Sequence, residues 1–248
     1  MVEIKNGRDI SKMTLNLAVF GATGTTKTRQ VLTLPNCLLI SLEKGTLSLM
    51  GEDFDYVECS SLEDIRDVYS MLIGEWAGRY EWICLDSMSE LSDIILEEEL
   101  EKTSHAMQAY GAMQTKIMKT LKSFMNLDVN LYAIAKEAPI EKSTGDVIKG
   151  MMFAGTKLSH KVPYLFDDVI AASKIIDGDG KERLCFTCHG TTNYDCKNRS
   201  GALNLFEEPN LFKIANKIIE HKKSVAKASA KAVSQGSEMA KQLKKKKA

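Results

Sequence analysis

The stretch LNLAVFGATGTTKT, residues 15 to 28, constrains this chain more than any other. Leu15 to Phe20 is almost uninterruptedly apolar, as a central parallel strand buried on both faces would be. Residues 21 to 28 fit the phosphate-binding pattern G-x-x-x-x-G-K-[ST] at Gly21, Lys27 and Thr28. Gly21, Ala22, Thr23, Gly24, Thr25, Thr26, Lys27 and Thr28 form the candidate cradle, in which backbone N–H groups and the positive end of a following helix surround phosphates. Lys27 would reach the β and γ oxygens, and the Thr28 hydroxyl would help hold Mg²⁺. A strand, a loop and a helix in this order imply an α/β fold built on a parallel sheet.

Thr26 stands where the pattern has its second glycine. A glycine there lets backbone and phosphate approach without an intervening Cβ, and it accepts dihedrals that cost a β-branched residue about 1–3 kcal/mol. The substitution predicts weakened nucleotide affinity or turnover.

At 248 residues the chain can hold one α/β domain and an appendage. There is no run of roughly 18 apolar residues, and MVEIKNGRDISKM lacks the apolar core of a signal peptide. The expectation is a cytoplasmic protein with no membrane partner. Six scattered cysteines fit a reducing compartment. The 33 basic and 33 acidic residues balance, but residues 221–248 hold nine lysines against Glu238 alone. That tail carries +8 and the body −8. The division expected is therefore a domain over 1–220 and a lysine-rich tail over 221–248, disordered or helical, suited to nucleic-acid phosphates or to the acidic body.

Beyond the loop, a helix over 27–33 stops before Pro35, and Cys37 to Leu42 forms a strand followed by Glu43, at the strand end where open α/β sheets bind ligands. Tyr56 to Cys59 reads as an edge strand, and SSLEDIRDVYSMLIGEW as a capped amphipathic helix. EWICLDS is an apolar strand ending in Asp86, the pattern of a carboxylate that coordinates Mg²⁺. Residues 88–126 are helical with a break near Thr103 or Gly111, and VNLYAIA is a strand ending in Lys136 and Glu137. Residues 138–157 read as a long functional loop. Strands over 168–176 and 183–188 flank the hairpin signal DGDG, and a helix begins near Pro209.

Other constellations compete weakly. CFTCH spells a haem-attachment pattern inside a strand, without the export it requires. Cys185, Cys188, His189 and Cys196 have zinc-ligand chemistry without zinc-finger spacing. The four histidines form no hydrolase pattern. Asp86 with Glu43 suits Mg-nucleotide better than glycoside chemistry.

Taken together, GATGTTKT, LLISLEKGTLSL, WICLDSMSEL, LYAIAKE and DCKNRSGALNLFEEPNLFKIANKI resemble the phage nucleotide-binding ATPases of the RecA-like P-loop class, a group that includes phage single-strand annealing recombinases. The resemblance spans roughly residues 13–220 and rests on the order of the segments. It implies a RecA-like P-loop core, with a mostly parallel sheet, helices on both faces and an antiparallel edge hairpin. Its cofactors would be ATP and Mg²⁺. Its partners would be single-stranded DNA, further copies of the chain, and a phage or host single-strand binding protein, in the cytoplasm of an infected bacterium. Lys27 and Glu43 become the catalytic candidates, Glu43 by activating water. Thr28 and Asp86 become Mg²⁺ ligands, Lys136 and Glu137 a sensor pair, and Lys197 and Arg199 a basic pair reaching a neighbouring subunit's nucleotide. Two activities remain open: Mg-dependent ATP hydrolysis that drives strand annealing or exchange, and a non-hydrolysing, nucleotide-gated loader or mediator. A helicase-like or packaging motor ranks below both.

Overall fold

The computed structural model describes Asn6, Asp9 and residues 13–245, with residues 234–245 described as backbone. Its strands are β1 (Asn16–Gly21), β2 (Cys37–Ser41), β3 (Asp55–Glu58), β4 (Trp82–Asp86), β5 (Asn130–Glu141), β6 (Val147–Met151), β7 (Asp168–Ile176), β8 (Glu182–Thr187), β9 (Lys197–Asn198) and β10 (Phe206–Glu207). The helices are α1 (Leu62–Ile73), α2 (Met88–Lys102), α3 (Ala106–Met125), α4 (Thr156–Lys161) and α5 (Leu211–Lys245). The sheet runs β10-β8-β7-β1-β5-β4-β2-β3, with β6 beside β5 and β9 beside β7. From β7 to β3 neighbouring strands are parallel; β8, β10, β9 and β6 pair antiparallel. The fold is thus α/β with a mostly parallel sheet and an antiparallel edge, consistent with a P-loop NTPase core.

The near-continuous apolar runs of β1, β2 and β4 are buried because both faces are covered. On one face Phe20, Ile40, Leu85 and Ala133 pack under α1, α2 and α3, and Ala109, Met113, Ile117, Leu121 and Phe124 form the inward stripe of α3. Each fully buried Leu, Ile, Met or Phe among them contributes about 1.5–3 kcal/mol. Helix α1 starts at a capping box in which Ser61 and Asp64 satisfy each other's backbone N–H. On the other face Val19, Leu39, Cys84 and Tyr132 lie under Val31, Leu34, Leu49 and the first turns of α5.

Two expectations are corrected. Residues Thr28–Thr33 form a short 3-10 helix instead of an α-helix. Leu34 is held extended by Pro35 after it, so there is no length for a full helix. Residues 138–157 are also not a loop. They continue β5 into a hairpin with β6, Ile140 opposite Ile148, closed where Lys142 N–H donates to Asp146 O at 2.8 Å, and they end in the start of α4. The hairpin escapes a sequence reading because only Ile140 and Ile148 mark its inner face among polar residues.

In the tail, the helix α5 extends to Lys245; Lys246 and Lys247 lie outside the described residues. No helix among the described residues is long and apolar enough to cross a membrane.

Candidate nucleotide site

The parallel block carries the carboxyl ends of β1, β5, β4 and β2 to one edge of the sheet, and the loops that leave them surround a cavity of about 700 Å³. That volume is typical of ligand pockets, roughly 300–1,000 Å³. The cradle residues Gly21, Ala22, Thr23, Gly24, Thr25, Thr26, Lys27 and Thr28 line it together with Glu43, Asp86, Lys136 and Glu137.

Gly21 is required where it stands, since a Cβ would lie 2.5 Å from Ala172 O on the adjacent β7. Gly24 has φ of 76°. Thr26 has φ of 58°, so a β-branched residue occupies the left-handed conformation that the missing glycine would adopt freely. The buried Thr25 hydroxyl donates to Ala22 O at 2.7 Å, and Tyr132, near the amino end of β5, donates to Lys27 O at 2.9 Å, tying the loop to the sheet. Lys27 folds back over the loop, donating to Gly21 O and Ala22 O at 2.8 Å each. Burial lowers the Lys27 pKa, against the pull of Asp86, Glu43 and Glu137.

The opposite wall is acidic. Thr28 Oγ1 donates to Asp86 Oδ2 at 2.6 Å. Burial pushes the Asp86 carboxyl up to about 6; the Thr28 hydrogen bond opposes this and the Glu43 charge adds to it. A buried carboxylate whose close partner is a neutral hydroxyl, with a second carboxylate nearby, suits a divalent cation. Thr28 and Asp86 are the residues that would hold Mg²⁺. The Asp86–Ser87 peptide is cis. Ser87 caps α2 by accepting from Glu90 N–H, and its hydroxyl donates to Glu43 Oε1, which aims the glutamate at the cavity.

Lys136, where the parallel pairing of β5 with β1 ends between the two walls, sits 2.7 Å from Glu90 Oε2 and 3.6 Å from Glu43 Oε1. Burial works against its charge, but the Glu90 hydrogen bond and the Glu43 charge outweigh that and raise its pKa. Its backbone N–H donates to Ser89 Oγ, whose hydroxyl donates to Met152 O, and Ala154 N–H donates to Ser92 Oγ. The α2 serines therefore join the Asp86 wall to the base of the β5–β6 hairpin. Glu137 pairs with Lys149 of β6 at 2.9 Å, and Lys149 lies over the Tyr194 ring.

Lys197 and Arg199 lie elsewhere. In the register of β9 on β7 and β7 on β1, Lys197 is level with Ala18, towards the opposite end of the sheet from Gly21. Its amine donates to Pro163 O and Phe166 O, and Arg199 donates to Tyr164 O at 3.2 Å and lies 3.7 Å from Asp167. Among the described residues no cluster of His, Cys, Asp and Glu is arranged to hold a metal by itself, and Cys185, Cys188 and Cys196 are free thiols.

Sequence reasoning gave no role to Ser87, Ser89, Glu90 or Tyr132. Ser87 alone carried a signal, as a serine immediately after the strand-terminal Asp86 and three residues before an acid. The others depend on contacts 46 to 105 residues apart in sequence. A comparison with curated proteins finds no match. A family model described as an AAA domain matches residues 13–200, from just before β1 to the end of the loop that holds Lys197 and Arg199. With that match covering most of the chain and a phosphate loop facing an acidic wall across one cavity, the chain belongs to the AAA domain family, of P-loop nucleotide-binding ATPase type.

Proposed function

We propose that the protein is an Mg²⁺-dependent ATPase that works on single-stranded DNA in phage recombination, promoting strand annealing or exchange in the cytoplasm of the bacterial host, together with further copies of itself and a single-strand binding protein. The observation that carries the reading is the convergence of Lys27, Thr28, Asp86, Glu43 and Lys136 on one cavity, with Lys136 continuous with a projecting hairpin. Lys27 leaves its loop carbonyls for the β and γ phosphate oxygens. Glu43, held by Ser87, orients the water that attacks in line. Mg²⁺, when bound, supplies charge neutralisation on the phosphates. Lys136 exchanges Glu90 and Glu43 for the γ-phosphate, and the α2 serines pass the change to the hairpin.

The DNA path suggested is the hairpin and the cavity of about 810 Å³ beside it, where Lys142, His160 and Tyr164 meet. Tyr164 is 75% exposed and offers a ring for base stacking, whereas Phe153 is buried in the core. Lys223, Lys227 and Lys231 follow one another at four-residue spacing on α5 and add phosphate contacts. Lys197 and Arg199 act on a neighbour's nucleotide only if assembly frees them from their carbonyls.

Thr26 at φ 58° favours a second reading, a nucleotide-gated loader or mediator in which hydrolysis is feeble. Mg²⁺-dependent ATP turnover by the full chain, with and without single-stranded DNA, separates the two. DNA-stimulated turnover supports the first; DNA binding gated by ATP with no turnover replaces it by the second; neither effect removes both.

A further inference from the structure

A groove of about 550 Å³ runs between α3 and α4, away from the nucleotide cavity. Its floor includes Met118 and the fully buried Leu158, and Lys119, Lys122 and Lys161 stand along it, with no carboxylate in the lining. Among the described residues these three lysines enter no ion pair, although Lys116 on the same helix α3 does. No aromatic residue lines the groove, so a nucleic acid would find backbone charge there and no stacking platform. An acidic segment with an aliphatic anchor fits better.

The same chain presents one. On the last turns of α2, Leu100 is 44% exposed, and Glu97 and Glu101 are exposed beside it at helical i, i+3 and i+4 spacing. Neither acid is in an ion pair among the described residues, while the intervening Glu98 accepts from Leu62 N–H and Glu99 holds Lys102 and Lys116. We infer that Glu97, Leu100 and Glu101 of one copy dock into the α3–α4 groove of the next, Leu100 against the half-buried Met118 and the two acids on the lysines. Because groove and ridge are different surfaces, the contact is head-to-tail and propagates into a ring or filament. The rim charges set register and partner choice, and the leucine supplies most of the apolar burial.

Sedimentation velocity of the full chain at rising concentration tests this, using K119E/K122E and E97K/E101K alone and mixed. The wild type should gain mass with concentration. Each variant alone should associate at least 10-fold more weakly, because like charges then face one another. The equimolar mixture should regain assembly, because both junctions are again of opposite charge. A wild type that stays monomeric, variants that assemble like the wild type, or a mixture that stays monomeric would each overturn the proposal. So would a K119E/K122E variant of unchanged mass that retains single-stranded DNA less well, which would give the groove to phosphates. None of these readouts depends on ATP turnover.

Discussion

At the carboxyl ends of β1, β2, β4 and the parallel part of β5, Lys27, Glu43, Asp86 and Lys136 converge on open space, whereas at the amino ends of β1 and β7 a similar set, Lys197, Arg199, Asp167 and Asp168, is bonded to the chain itself. The upper groups hold one another through contacts that a ligand can replace: Lys27 on loop carbonyls, Lys136 on two glutamates. The lower groups close the fold, with Lys197 reaching two carbonyls, Asp167 accepting from Asn16 N–H, and Asp168 accepting from Ser200 N–H at 3.1 Å. Charge at a strand end therefore says little by itself; what matters is whether its partners are backbone groups the fold needs.

The largest effect should come from Lys27→Ala, which removes the cation proposed to leave its loop carbonyls for the phosphates. ATP turnover is expected to fall about 10³-fold or more, with the unfolding midpoint unchanged. Glu43→Gln should come next, lowering turnover about 10²-fold or more while nucleotide binding, read by fluorescence of a labelled ATP analogue, survives. A loss of folding in either variant would break the contrast by making the upper end structural as well.

At the lower end the signs reverse. Lys197→Ala removes a half-buried ammonium that serves Pro163 O and Phe166 O, and chemical denaturation should show a loss of about 1.5 kcal/mol with turnover per folded molecule kept. Lost turnover at unchanged stability would transfer Lys197 to a neighbour's nucleotide. Thr26→Gly, back at the upper end, relieves a β-branched residue at φ 58° and offsets part of that gain with chain entropy, a net gain of about 1 kcal/mol. Turnover should rise several-fold; an unchanged rate would mean that the loop does not limit catalysis.

Much of the upper end was legible in the sequence, because phosphate-loop chemistry is local. Gly21, Lys27 and Thr28 announce themselves by spacing, and Asp86 and Glu43 by ending apolar strands. The placement of β5 between β1 and β4, which brings Lys136 between the walls, depends on strand order and has no local signal. The β5–β6 hairpin was hidden because Pro139, Lys142 and Lys149 dilute its pattern. Lys197 and Arg199 show the converse limit: a basic pair in a polar loop looks available, and only the folded positions of Pro163, Tyr164 and Phe166 reveal what holds it.

Asp168 gives the smallest and most specific test. It is fully buried, with Oδ1 accepting from Ser200 N–H and Oδ2 without a hydrogen-bond partner, and burial raises its pKa against the Ser200 hydrogen bonds. The folded state therefore holds this proton at pH values where the unfolded aspartate, with a pKa of about 3.9, has released it. With more protons bound in the native state, stability must fall as pH rises past about 4 towards the folded pKa. Asp168→Asn keeps the acceptor and removes the titration, so its denaturation midpoint should lose that slope and lie on the order of 1 kcal/mol above the wild type at neutral pH. An unchanged slope would mean that Asp168 is ionised and paired in the native protein, and the two ends of the sheet would then differ less than their contacts imply.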